Sequence, residues 1–143
     1  MKSLYLIVRI AGETVALGAD GIGSVVEIDT ISRVPRVPAH IIGLFALRSR
    51  ILTVVDSAAA LGFGRAPEEA VRTAVIATAD GHGFALLVDE VIDVVEGGPP
   101  SPCVAVTGRE WSRVTIGQVT TDGGDLLLVD PLLLIQGPDA LAA

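Results

Sequence analysis

Residues Val34–Gly64 read VPRVPAHIIGLFALRSRILTVVDSAAALGFG, and the fold turns on this stretch. Pro35 and Pro38 fix their own φ and push the residues before them toward extended geometry. Neither can donate to a β-ladder, so Ile31–Val37 is predicted as an edge strand or a covering segment. Gly43–Leu47 and Ile51–Val55 are strand-length apolar runs on either side of Arg48-Ser49-Arg50, which predicts a hairpin with a cationic tip. Ser57–Leu61 is predicted as a short helix with Asp56 as its N-cap and Gly62 as its terminator. Nothing here is a catalytic constellation. A charged hairpin tip on apolar strands is a geometry for display, and it points to a binding module.

The rest of the chain repeats this grammar. Leu4–Ile10 and Thr14–Leu17 read as strands around a Gly12-Glu13 turn, and Ser24–Ile28 resumes strand character after a loop from Gly18 to Gly23. Val71–Ala79 and Phe84–Val95 are expected to form a hairpin around Asp80-Gly81-His82-Gly83, whose residues tolerate positive φ. Gly97-Gly98-Pro99-Pro100 ends it. Arg113–Thr120 and Asp125–Val129 pair across Thr121–Gly124, and Pro131 after Asp130 opens a short helix through Ile135. Nine or ten short strands, glycine turns and two stub helices describe an all-β barrel or sandwich. The phrase Ile51–Leu61, an apolar run followed by Val-Asp and a helix stub, recurs as Leu126–Ile135. Two similar small barrels within one domain spanning residues 1–143 would produce that echo.

Composition narrows the function. The chain has 143 residues, enough for one domain with a proper core, and half of them are hydrophobic, giving a mean hydropathy of +0.62. No apolar run approaches the roughly 18 residues of a membrane-spanning helix. Lys2 precedes a short apolar stretch, but Arg9 interrupts it and no small-residue cleavage site follows, so a cytoplasmic protein without direct membrane insertion is expected. Net charge is −7 and the pI about 4.6. That field repels nucleic acid, and no basic run or aromatic stacking platform opposes it. With only Tyr5, Phe45, Phe63, Phe84 and Trp111 as aromatics, the core is built from aliphatic residues, with some apolar surface left for a partner to cover.

Catalytic and metal chemistry find no support. Cys103 is the only cysteine, which rules out an internal disulfide and a cysteine-rich zinc site; its neighbours Pro102 and Val104 suggest an inert thiol. His40 and His82 are far apart, and neither has a second ligand at metal spacing. His82 is expected in a turn, and His40, after a proline, facing a groove or solvent. Asp89, Glu90 and Asp93 read as a solvated strand face. Asp29-Thr30-Ile31 lacks the glycine of an aspartic protease loop. Gly21-Ile22-Gly23 lacks the third glycine of a dinucleotide loop and the lysine of a phosphate loop. No Gly-x-Ser-x-Gly elbow occurs. No enzyme, cofactor or metal is expected.

Four segments, in order, resemble the chemotaxis coupling protein family, the CheW-like domains. These are Val15–Ile28 (VALGADGIGSVVEI), Val34–Asp56, Phe84–Val95 and Leu126–Leu134. The resemblance implies two intertwined five-stranded β-barrels and a non-enzymatic adaptor. Such a protein bridges the cytoplasmic hairpin tip of a chemoreceptor (a methyl-accepting protein) to the regulatory domain of a CheA-type histidine kinase. It implies that the receptor hairpin lies in the groove between barrels and that kinase contacts use apolar faces at barrel ends. On this chain Arg48 matches the arginine of the family's Leu-Arg-Gly and Glu27 the acid of its Val-x-Glu-Ile, with Val34, Pro35 and Pro38 shaping the groove wall. The chain departs from the pattern at Ala46 and Ser49, where the family has Asn and Gly, at Thr53 for a proline, and at Ser57–Ala60 for an arginine-bearing stretch. These departures admit a divergent regulator that engages one partner or another two-component system. A small-ligand-binding barrel or enzyme is the alternative from another class.

Overall fold

A computed structural model describes residues 3–65, 71–102 and 108–141. The strands are β1 (Ser3–Ile10), β2 (Glu13–Gly18), β3 (Ile22–Ile28), β4 (Ser32–Arg33), β5 (Ile41–Leu47) and β6 (Arg50–Asp56). After α1 (Ser57–Leu61) come β7 (Arg72–Ala79), β8 (His82–Val88) and β9 (Glu90–Gly97). Then follow α2 (Arg109–Ser112), β10 (Thr115–Thr121), β11 (Gly124–Val129) and α3 (Pro131–Leu141), which kinks at Gly137. The fold is mostly β, as the turn-punctuated sequence predicts.

Two sheets result. The first has the order β10-β11-β2-β1-β9 and the second β3-β7-β8-β6-β5-β4. Within each, alternate side chains point inward or toward the other sheet, as the two-residue period of a strand requires. Tyr5, Ile7, Ala16, Val119 and Leu128 fill the interior of the first sheet. Ile28, Ile42, Leu52, Val54, Ile76 and Leu87 are among those filling the second. A third cluster lies between the sheets, where Leu6, Val8 and Leu17 of the first meet Val55, Val75 and Leu86 of the second. Leu61 of α1 and Leu134 of α3, both fully buried, join it. Each such aliphatic side chain contributes about 1.5–3 kcal/mol of burial.

The sequence echo proves to be a repeat of the whole ladder. In the first sheet one cross-strand row reads Asp93, Ile7, Ala16, Leu128, Gly117. In the second it reads Ser24, Ile76, Ala85, Val54, Gly43. The parallel pairings, β11 with β2 and β6 with β8, fall at corresponding places. So do the bulges, at Ile92 and Gly23 on the crossing strands and at Ile116 and Ile42 on the hairpins. Ser101 bridges to Gln118 as Ser32 pairs with Leu44. Each half donates one strand to the other sheet: β3 leaves the first for the second, and β9 returns. The halves are therefore intertwined.

Four expectations need correction. Phe84–Val95 is not one strand: the chain leaves the second sheet at Val88 and enters the first at Glu90, and only Asp89 intervenes. The turn before it is the Asp80-Gly81 pair alone, both at positive φ, as a two-residue type I′ turn requires. Arg113–Thr120 begins later, at Thr115, because α2 precedes it and buries Trp111. His40 faces neither groove nor solvent. It is 5% exposed, its Nε2 is 2.9 Å from the Ile135 carbonyl oxygen, and Gly137 lies against its ring where no β-carbon would fit. The histidine seats the kink of α3. Cys103 lies outside the described residues.

Candidate functional site

The β5–β6 hairpin is held from beneath and left bare above. Phe45 and Leu47 turn inward onto the interior cluster of the second sheet, with Leu52 and Val54 opposite. The alternate positions Leu44, Ala46, Ile51 and Thr53 therefore share the outer face, where Leu44 pairs with Thr53 and Ala46 with Ile51. Further along β6 the same face carries Val55 into the core between the sheets. Toward the tip no described residue covers it, and Ile51 is 63% exposed. An uncovered continuation of a buried apolar face is what an interaction surface looks like before its partner arrives.

Arg48 stands at the end of this face, in a two-residue loop with Ser49. Its φ is +57° and Ser49 is not in the left-handed region, the pattern of a type II′ turn, whose first position favours glycine. The glycine that the family's Leu-Arg-Gly places at position 49 is thus not required by this backbone, and the strained residue is the arginine itself. Arg36 repeats the theme, following Pro35 at a φ of +62°. Arginines held in left-handed conformation on exposed turns cost backbone energy without contributing packing, a pattern associated with function. Arg36 and Arg50 were not among the residues expected from sequence. Their charge was visible there, but the conformation that singles out Arg36 was not.

The other expected residues do not form one constellation with Arg48. Glu27 is exposed on β3, opposite Thr73 of β7, two residues from Val25, which faces Val75 of the core between the sheets. Both thus lie at the rim of the layer joining the sheets. Val34, half-buried, and the exposed Pro35 and Pro38 follow β4. Arg33 pairs with Gly43 and the Pro38 carbonyl accepts from Ile41 N at 2.9 Å, which puts this segment at the opposite end of β5 from Arg48. The structure shows two surfaces: a hairpin face ending in Arg48, and a rim bearing Val25 and Glu27.

Among the described residues no three His, Cys, Asp or Glu side chains converge as metal ligands. Asp56, the most buried acid among the described residues, caps α1 by accepting from Ala59 N at 3.2 Å and lies 3.8 Å from Arg72, a structural role. Asp89 accepts from Gly12 N, and Glu90 pairs with Arg9 at 2.7 Å. Among the described residues no helix is long and apolar enough to cross a membrane.

Comparison with known proteins agrees with this architecture. A search of curated proteins finds no match. Among solved structures, the scaffolding protein TtCheW from Thermoanaerobacter tengcongensis is similar, with a TM-score of 0.76 at 24% identity over 90% of this chain and 89% of that one. At that identity the likeness speaks for the fold. The sequence profile of the CheW-like domain matches residues 4–138, nearly the whole chain, and the protein belongs to the CheW-like domain family.

Proposed function

We propose that this protein is a non-enzymatic, cytoplasmic coupling scaffold of chemotaxis, joining the cytoplasmic hairpin tip of a chemoreceptor to the regulatory domain of a CheA-type histidine kinase. Membership of the CheW-like family supports the class. The observation that carries the reading is the bare apolar face of the β5–β6 hairpin ending in Arg48. Aliphatic side chains supply the desolvation energy, and a guanidinium with five donors in a fixed fork supplies orientation toward helix carboxylates or carbonyl ends. The rim with Val25 and Glu27 supplies a second surface, as a bridge between two partners needs.

Calorimetric titration of the protein against a receptor-tip hairpin and against a kinase regulatory domain tests this. Binding to both is expected. Binding to one alone identifies a specialised regulator, and binding to neither by the folded protein removes the coupling role. Arg48→Gly separates function from folding. Glycine relieves the positive φ and is expected to stabilise the fold by about 0.5–1 kcal/mol. The same change is expected to weaken partner binding about tenfold. A variant that is more stable and binds undiminished would take Arg48 out of the site.

A further inference from the structure

The repeated ladder lets the open ends of the two sheets be compared residue by residue, and they differ in filling. In the second sheet Gly83 has no room for a side chain: a β-carbon there would meet Leu52 and lie 2.9 Å from Nη2 of Arg50. The Arg50 guanidinium therefore lies beside Gly83 at that end, while Phe45 and Leu47 pack on the interior cluster of the same sheet. The ladder gives Thr14 as the counterpart of Gly83, Gly124 of Arg50, Val119 of Phe45 and Thr121 of Leu47. Gly124 has no side chain to lay across the end, and Val119 and Thr121 are smaller than their counterparts. What remains is a cleft of about 620 Å³ with Ile7, Ile92, Val95 and Leu126 among its walls. Asp93, Glu96 and Asp122 also line it. Arg9, the one cation on the strands of the first sheet, is already engaged by Glu90.

We infer that this cleft takes an arginine or lysine side chain flanked by aliphatic residues, presented by a partner protein. The molecule carries its own template, because the equivalent end of the second sheet is closed by an arginine over apolar neighbours. Charge selects the occupant. Three carboxylates around an apolar floor attract a cation whose stem is apolar, and repel an acidic segment. A cleft of this size and lining is in the range that holds a side chain cluster or small ligand. A second copy of this chain offers a poorer occupant: its tip carries Arg48 at the end of the face bearing the exposed Ile51, but each copy has a net charge of −7, which opposes their approach.

The test is an amide-resolved NMR titration of the full chain with blocked tripeptides. Ac-Leu-Arg-Leu-NH2 is expected to shift Thr14, Ile92, Val95 and Leu126, and to bind about tenfold tighter than Ac-Leu-Glu-Leu-NH2, Ac-Gly-Arg-Gly-NH2 or arginine amide. The double variant Asp93→Lys/Asp122→Lys, both exposed positions, is expected to weaken it about tenfold, and added salt to do the same in the parent. Thr14→Trp fills the cleft and is expected to abolish the shifts while keeping a dispersed spectrum; should it fail to fold, the charge variant still decides. Equal binding of the glutamate peptide overturns the inference, as does equal binding of arginine amide, which would mark a small-ligand site. Shifts confined to other residues, or none up to about 10 mM peptide, overturn it too. So does salt-sensitive self-association that the charge variant abolishes, since the occupant would then be a second copy.

Discussion

The two halves of this molecule share a ladder and differ in charge. Val25-Val26-Glu27 on β3 and Val94-Val95-Glu96 on β9 occupy equivalent places, and the exposure of residues 22–28 repeats position by position over residues 91–97. Yet the hairpin tip of one half is Arg48-Ser49 and that of the other Asp122-Gly123. What both halves keep is the pattern the core demands: inward aliphatics, bulges, an aspartate before the helix. What differs is the solvent-facing tip, where folding places few constraints. A chain built this way presents two tips on one ladder that differ in the sign of their charge.

The sharpest way to break the equivalence is at its closest backbone approach. Gly43 lies against β4 so tightly that a β-carbon would run into the Ser32 carbonyl oxygen and lie 3.0 Å from the Arg33 Cα, all backbone. Its counterpart Gly117 has one close neighbour, the Ser101 carbonyl oxygen at 2.8 Å, with the next at 3.8 Å. Gly43→Ala is expected to cost about 3 kcal/mol or more and Gly117→Ala about 1–2 kcal/mol, read from urea unfolding. Equal costs would mean that the β4 pairing and the single Ser101 bridge matter equally, against the geometry.

The helix caps give the next largest contrast. Asp56 is 1% exposed, caps α1 and lies 3.8 Å from the mostly buried Arg72. Asp130 accepts from Leu132 N at 3.0 Å at an exposed helix start. Asp56→Ala removes a cap and leaves a guanidinium without its carboxylate, an expected loss of about 3 kcal/mol. Asp130→Ala removes a cap alone, about 1 kcal/mol. Thermal melts of the pair decide; a larger effect at Asp130 would show that α3, which also carries the His40 contact, governs stability more than α1.

Much of this was readable in the sequence, for a physical reason. Glycine and proline punctuate nearly every strand, so the elements and the Asp56 and Gly62 caps are written locally. The failures are non-local. FALLVDEVIDVV has no breaker, so nothing in it tells that Val88 and Glu90 belong to different sheets; a bend at Asp89 suffices. His40 reads as a loop histidine because its partner, Ile135, is 95 residues away. The open cleft has a local signal too: Val-Asp precedes a helix at 55–56 and again at 129–130, and aligning the halves on it sets Gly124 opposite Arg50.

Arg50 sharpens the comparison at small energetic cost. Arg50→Ala removes an exposed charge, the guanidinium that lies over Gly83, with an expected loss below about 1 kcal/mol. It should open the end of the second sheet and shift the Gly83 amide resonance. An unchanged Gly83 signal would show that the guanidinium does not close that end in solution, and would remove the template on which the cleft's occupant was inferred.

The smallest effect falls where the halves differ in buried polarity. Ser57 opens α1 and is completely buried, and its Oγ has no hydrogen-bond partner among the described residues. The ladder places Pro131 at the same point of α3, where the first helical turn needs no donor and no hydroxyl is present. Leaving a hydroxyl buried and unpaired costs about 1–3 kcal/mol of desolvation, whereas its removal opens only a small space. Ser57→Ala is therefore expected to leave stability unchanged or raise it by up to about 1 kcal/mol, a rare sign for a core substitution. A loss above about 1 kcal/mol in urea unfolding would mean that the hydroxyl is paired in solution, by the Asp56 carboxylate or a buried water. The serine would then belong to the capping of α1 and would mark a real difference between the two helix starts.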